Sequence, residues 1–148
     1  MASVKDDRTI DMFLIPQEER PNPATSDYSL DVATKLKIAL DFAHDAGLDR
    51  HAVAAEMCRL TGREIHKSTL DKWTAPGSDG YNIPLFFVVA LELACKTTIL
   101  TDWLVNKRGG RVAYGKDALS VLMNIKAHEK KKLEAEMKQI EKMLGAQL

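Results

Sequence analysis

Between residues 63 and 73 lies a run of side chains whose types could engage a nucleic acid. Lys67, Ser68, Thr69, Asp71 and Lys72 are short or flexible polar residues, and they surround Leu70 and Trp73, which stand three apart and anchor one helical face. Hydroxyls at Ser68 and Thr69, near the start of such a helix, can hydrogen-bond phosphate oxygens or base edges. Arg63, Lys107 and Arg108, together with Arg59 and Arg111, fall at the ends of expected elements, the places from which a protein holds on to backbone phosphates. The same residues also suit a capped helix whose polar face meets only water. Likewise, the Lys130-Lys131-Lys132 run reads most simply as a solvated face.

Other chemistry has little support. His44, His51, His66 and His128 are scattered without the spacing of metal ligands, and Cys58 and Cys95 lack a C-x-x-C arrangement and read as buried small hydrophobes. Nucleophile-elbow, P-loop and dinucleotide signatures are missing, and Gly109-Gly110 reads as a helix stop. The expectation is a protein that is not an enzyme and carries no metal or cofactor. Hydrophobic residues make up 45% and charged residues 28% of the 148, which suits one folded domain with appendages. No apolar stretch reaches the roughly 18 residues of a membrane span, and the polar, acidic start does not read as a secretory signal, so a cytoplasmic protein is expected.

The net charge of zero conceals a gradient. Residues 1–28 hold three basic and six acidic residues, residues 29–110 ten of each, and residues 111–148 eight basic and five acidic. A strongly basic stripe, the usual footprint of a protein that lives on phosphates, is missing.

Several elements must position the polar run. Residues 1–28, with Pro16, Pro21 and Pro23 around the apolar island Met12-Phe13-Leu14-Ile15, read as a flexible arm whose island could dock on the core or on a partner. Helix one should start at Ser29 as N-cap, carry Leu30, Val32, Leu36, Ile38, Ala39, Leu40, Phe42 and Ala43, and stop at Gly47. Asp49 should cap a second helix that Gly62 ends. After a turn over residues 63–67, a short third helix should begin near Ser68, followed by a loop over residues 74–82. Pro84 should open a helix through Leu85 to Cys95, apolar enough to be central to the core, and Ile99, Leu100, Trp103 and Leu104 a fifth. Residues 116–144 read as one long helix. Leu133, Met137, Ile140 and Leu144 follow at spacings of 4, 3 and 4, and Leu119, Leu122 and Ile125 give an apolar face nearer its start. A lone helix with this face would bury little of it, which points to packing against a second copy.

Lys67-Ser68-Thr69-Leu70-Asp71-Lys72-Trp73 resembles the K-S-x-[IL]-x-[RK]-W recognition-helix pattern of lambda-type CII regulators, within the repressor-like helix-turn-helix class. Ile83-Pro84-x-Phe86, with the apolar run through Ala90-Leu91-Glu92, resembles the helix that follows in that family. In its order of features the chain is also similar to small regulators of Mu-like prophages. The resemblance covers roughly residues 50–105 and implies DNA contact from Lys67, Ser68, Thr69 and Lys72, with Trp73 in the core. It departs from the pattern in a longer turn between residues 61 and 67 and in Asp71, a negative charge on the presumed DNA face.

The expected fold is therefore all-α: a five-helix, lambda-repressor-like helix-turn-helix core (29–110), a flexible N-terminal arm (1–28) and a C-terminal oligomerisation helix (111–148). The expected function is that of a phage or prophage transcriptional regulator binding double-stranded DNA as a homo-oligomer, dimer or tetramer. A rival reading keeps the helix-turn-helix as a scaffold for binding a host or phage protein. The zero net charge and Asp71 favour that rival.

Overall fold

A computed structural model describes residues 16–77 and 80–146, and the Met12–Ile15 island lies outside them. Among the described residues the protein is all-helical: α1 (Ser29–Asp45), α2 (Arg50–Thr61), α3 (Lys67–Thr74), a single 3-10 turn (Leu85–Phe87), α4 (Val88–Cys95), α5 (Ile99–Lys107) and α6 (Lys116–Gly145). The described residues form two units, one ending at Arg111 and the other beginning at Val112.

In the first unit α1 packs on α3, α4 and α5, while α2 packs on α3 and α4. The inward face of α1 is Ala33, Leu36, Ala39, Leu40 and Ala43, at near-helical spacing. It meets Val53, Ala54 and Met57 of α2, Leu70 and Trp73 of α3, Ala90, Leu91, Ala94 and Cys95 of α4, and Leu100 of α5. The alanines let helix axes approach closely, and the fully buried Leu36, Met57, Leu70 and Leu91 supply most of the hydrophobic gain, about 1.5–3 kcal/mol each. Leu30, Ile38 and Phe42, which belong to the apolar pattern of α1, are exposed.

Helix ends show which local signals governed. Asp49 caps α2 by accepting the Ala52 N–H at 2.8 Å, and Gly62 ends it in the left-handed conformation, its N–H donated to Cys58 O. Ser29 does not cap α1. The N-cap is Tyr28 without a side-chain bond, and the Ser29 N–H is instead donated to Asp27 Oδ1 at 3.0 Å. The fifth helix begins under a cap from another helix: the buried carboxylate of Glu92 accepts the Thr101 N–H at 2.8 Å and the Thr101 hydroxyl at 2.6 Å. A negative group is favoured at that helix end, where backbone N–H groups lack partners.

The apolar run after Pro84 differs from the expected central helix. Pro84 is extended, Leu85–Phe87 is a 3-10 turn, and the α-helix begins only at Val88. One face of this segment is core, but Leu85, Phe86, Val89 and Leu93 stand 61–76% exposed.

Both cysteines are free. Burial pushes the Cys95 thiol up to about 11, with Glu92 adding a smaller push in the same direction. Native protein treated with iodoacetamide near neutral pH should therefore remain unmodified at Cys95 and react there only after denaturation, as read by peptide mass. Rapid native alkylation at that residue would contradict the packing of α4.

Candidate nucleic-acid interface

The placement of α3 begins with the segment before it. After Gly62 the chain is tied back to α2 by Cys58, whose Sγ lies 3.1 Å from both the N–H and the carbonyl of Ile65. The Ile65 side chain enters the core, and the Thr61 hydroxyl is donated to Met57 O while accepting the Arg63 N–H. A turn longer than a tight helix-to-helix connection is in this way tied to α2 at Arg63 and Ile65. His66, in extended conformation, then precedes the first turn of α3. The helix starts one residue earlier than Ser68, so Lys67 is its first residue.

Leu70, Trp73 and Thr74 form the buried side of α3, and the Trp73 ring lies 5.7 Å from that of Phe87. The outer side carries exposed Ser68 and Lys72, with Lys67, Thr69 and Asp71 half-buried. Asp71 does not present a bare negative charge. Arg50, at the start of α2, donates to Asp71 Oδ1 at 2.6 Å and to the Thr74 hydroxyl at 3.1 Å, and Lys67 Nζ lies 2.8 Å from Asp71 Oδ2. The hydrogen bond from Lys67, and then that from Arg50, hold the Asp71 carboxyl below the usual aspartate range. Two cations thus cancel the charge that stood out in the sequence, and one of them, Arg50, fastens α3 to the N-terminus of α2. Lys72 lies 5.7 Å from the centroid of the Tyr81 ring, which is itself 59% exposed.

The remaining basic residues divide by their partners. Arg63 lies over the rings of Phe86 and Phe87, at 5.2 and 5.8 Å from their centroids. Arg59 is bound by both oxygens of Glu56. Lys107 and Arg108, expected at phosphates, are instead matched by acidic residues of the N-terminal stretch: Lys107 pairs with Glu19, and Arg108 Nη1 lies 2.9 Å from Glu18 Oε1. The Glu19 bond holds the Lys107 ammonium above the usual lysine range. Backbone contacts secure the same pairing, since the Glu19 N–H is donated to Lys107 O at 3.1 Å and Glu18 bridges to Arg108. Gly109 makes the approach possible. A Cβ there would sit 2.5 Å from the Glu18 nitrogen, and its φ of +75° also disfavours other residues. Residues 17–19, read as part of a flexible arm, are thus held along the end of α5.

A second surface lies beside this one. Leu60, Thr61, Arg63, Phe86, Val89 and Leu93 line a shallow groove of about 450 Å³ between α2 and α4 whose lining is mixed polar and apolar, and its one charged lining residue is Arg63. A cavity of about 390 Å³ shares Val89 with this groove and is also lined by Leu85, Val88 and Leu104, among others.

In the second unit α6 runs unbroken for 30 residues and buries none of them. Leu119, Leu122, Leu133, Met137, Ile140 and Leu144 are each 51–64% exposed. Among the described residues no cluster of three or more potential ligands could hold a metal, and no helix is long and apolar enough to cross a membrane.

Sequence reasoning missed Arg50, Tyr81, Glu92 and the Glu18–Glu19 pair. Each acts on a partner 9 to 90 residues away in the chain, beyond any local spacing rule. Comparison with protein-family models, with curated proteins and with solved structures finds no match to this chain.

Proposed function

We propose that the protein is a transcriptional regulator of phage or prophage type that reads duplex DNA with the outer face of α3, within a repressor-like helix-turn-helix formed by α2 and α3. One observation carries this reading: the charge of Asp71 is neutralised by Arg50 and Lys67, which leaves Ser68 and Lys72 outermost on a helix anchored by Leu70 and Trp73. B-DNA's major groove admits one such helix, and a hydroxyl and an ammonium near its outer face can reach phosphate and base edges. The resemblance of Lys67–Trp73 to the CII recognition helix supports the same assignment. Arg63 at the preceding turn is the remaining candidate for a backbone phosphate, while Lys107 and Arg108 would have to leave Glu18 and Glu19 first.

Selection from a random duplex pool tests this. The full-length protein should enrich one motif, and Lys72→Ala should weaken the enrichment without unfolding the chain, since exposed substitutions of this kind stay within about 0.5 kcal/mol. A pool that stays flat for the wild type contradicts the proposal.

A protein-binding role is the second reading, favoured by the exposed Leu85, Phe86, Val89 and Leu93 ridge. Apolar patches of several hundred Å² on one surface commonly mark a partner site. A flat selection result would turn attention to this ridge.

A further inference from the structure

The seam of α6 extends beyond its last heptads. Stepping back in sevens from Met137 and Leu133 places Lys130 and Lys126 on the same face, followed by Met123 and Leu119. The face is thus apolar at both ends and basic in the middle. Its flanks are acidic, with Glu134 and Glu141 on one side and Glu129 and Glu136 on the other.

We propose that this face is covered by α6 of a second copy of the chain, running antiparallel. The inference rests on the expectation from sequence that α6 packs against a second copy, and not on DNA contact. In a parallel, in-register pair Lys126 would face Lys126 and Lys130 would face Lys130. The flanks would add repulsion, because residues beside the seam meet those of the next heptad on the other helix, Glu129 towards Glu134 and Glu136 towards Glu141. Against these like-charge approaches the parallel pair offers the seam lysines only one opposite charge, Glu129 beside Lys130 of the other copy.

The antiparallel pair centred between residues 131 and 132 removes most of these conflicts. Leu119 then meets Leu144, Met123 meets Ile140, Lys126 meets Met137 and Lys130 meets Leu133. Lys130 then lies beside Glu134 of the second copy and Lys126 beside its Glu136, and the long stem of each can cover the apolar neighbour while its ammonium turns outward. Two kinds of like-charge approach remain: Glu129 with Glu136, where Lys132 lies between the two on the helix surface at spacings of three and four residues, and Lys130 with Lys130 across the centre, where Glu134 of each copy stands beside them. In the single chain Lys126 is 2.8 Å from Glu129 and Lys130 is 3.9 Å from Glu134, exposed pairs that are cheaply exchanged for contacts across an interface. A lysine in such a seam costs stability but fixes register and orientation. With 1.5 Å of rise per residue, the two starts of α6 would lie at opposite ends of a pair about 45 Å long.

Cysteine crosslinking of the full-length protein without DNA tests the orientation. Met123→Cys and Ile140→Cys alter two exposed seam positions. On mild oxidation, each variant alone should stay uncrosslinked, and their mixture should yield a band of twice the chain mass. Wild-type protein, unaltered in fold, should have a dimer's mass or a multiple of it by light scattering. Crosslinking of Ile140→Cys on its own, no product in the mixture, or a monomeric wild type would each overturn the proposal. Because no DNA is present, a failure of DNA binding leaves this result untouched, and a failure here leaves the contacts of α3 to be judged on their own.

Discussion

Removal of residues 116–148 should leave a monomer whose affinity for a duplex carrying two half-sites is lower by roughly 10²–10⁴-fold. The size of the effect follows from how few positive charges the first unit has to spare. The chain has no net charge, and Lys67, Arg59, Lys107 and Arg108 all have carboxylate partners. One such module gains little from counterion release, so a single copy should bind only at the weak, non-specific level, with Kd on the order of 10⁻⁴–10⁻⁶ M. A second module on the same particle turns the next contact into an intramolecular event. Light scattering and fluorescence anisotropy on the truncated and full-length chains give both quantities. A truncated chain that keeps the full-length mass would show that α6 is not what joins the copies.

Leu70→Ala should destabilise the first unit by about 2–5 kcal/mol, read from urea denaturation. Leu70 is fully buried and shares the interior with Ile65, Trp73 and α1, so truncation leaves a cavity that rigid neighbours fill only in part. For a domain with about 5–15 kcal/mol of stability this is a large share. The effect should be far greater than that of Lys72→Ala, two residues along the same helix. A loss at Leu70 below about 1 kcal/mol would mean that α3 is not anchored by the core.

Much of the helical layout was legible from the sequence because local signals govern it. Gly62 marks the end of α2 by its left-handed conformation, Asp49 its start by a hydrogen bond three residues on, and Leu70 and Trp73 the inner side of α3 by their spacing. The unbroken run from Lys116 gave α6 its length. What escaped depends on contacts between distant segments. The spacing around Asp71 could show its charge but not Arg50 on another helix, and so a residue that weighed against DNA contact is a neutralised one. Nor could the apolar run after Pro84 reveal which of its faces is covered, because Leu91 and Leu93 are the same residue type on opposite sides of one helix. Lys107 and Arg108 stood at an element end, as phosphate contacts often do, while Glu19 and Glu18 lay 88 and 90 residues away.

The most direct test of the account is fluorescence anisotropy of the full-length protein on duplexes from the region flanking its own gene, measured over a range of salt concentrations and repeated with Lys72→Ala. Preference for one fragment over random DNA, a steep fall in affinity with salt and a loss on substitution are the predicted results. Absence of binding, or weak binding indifferent to sequence and to Lys72, would contradict the proposal that α3 reads DNA.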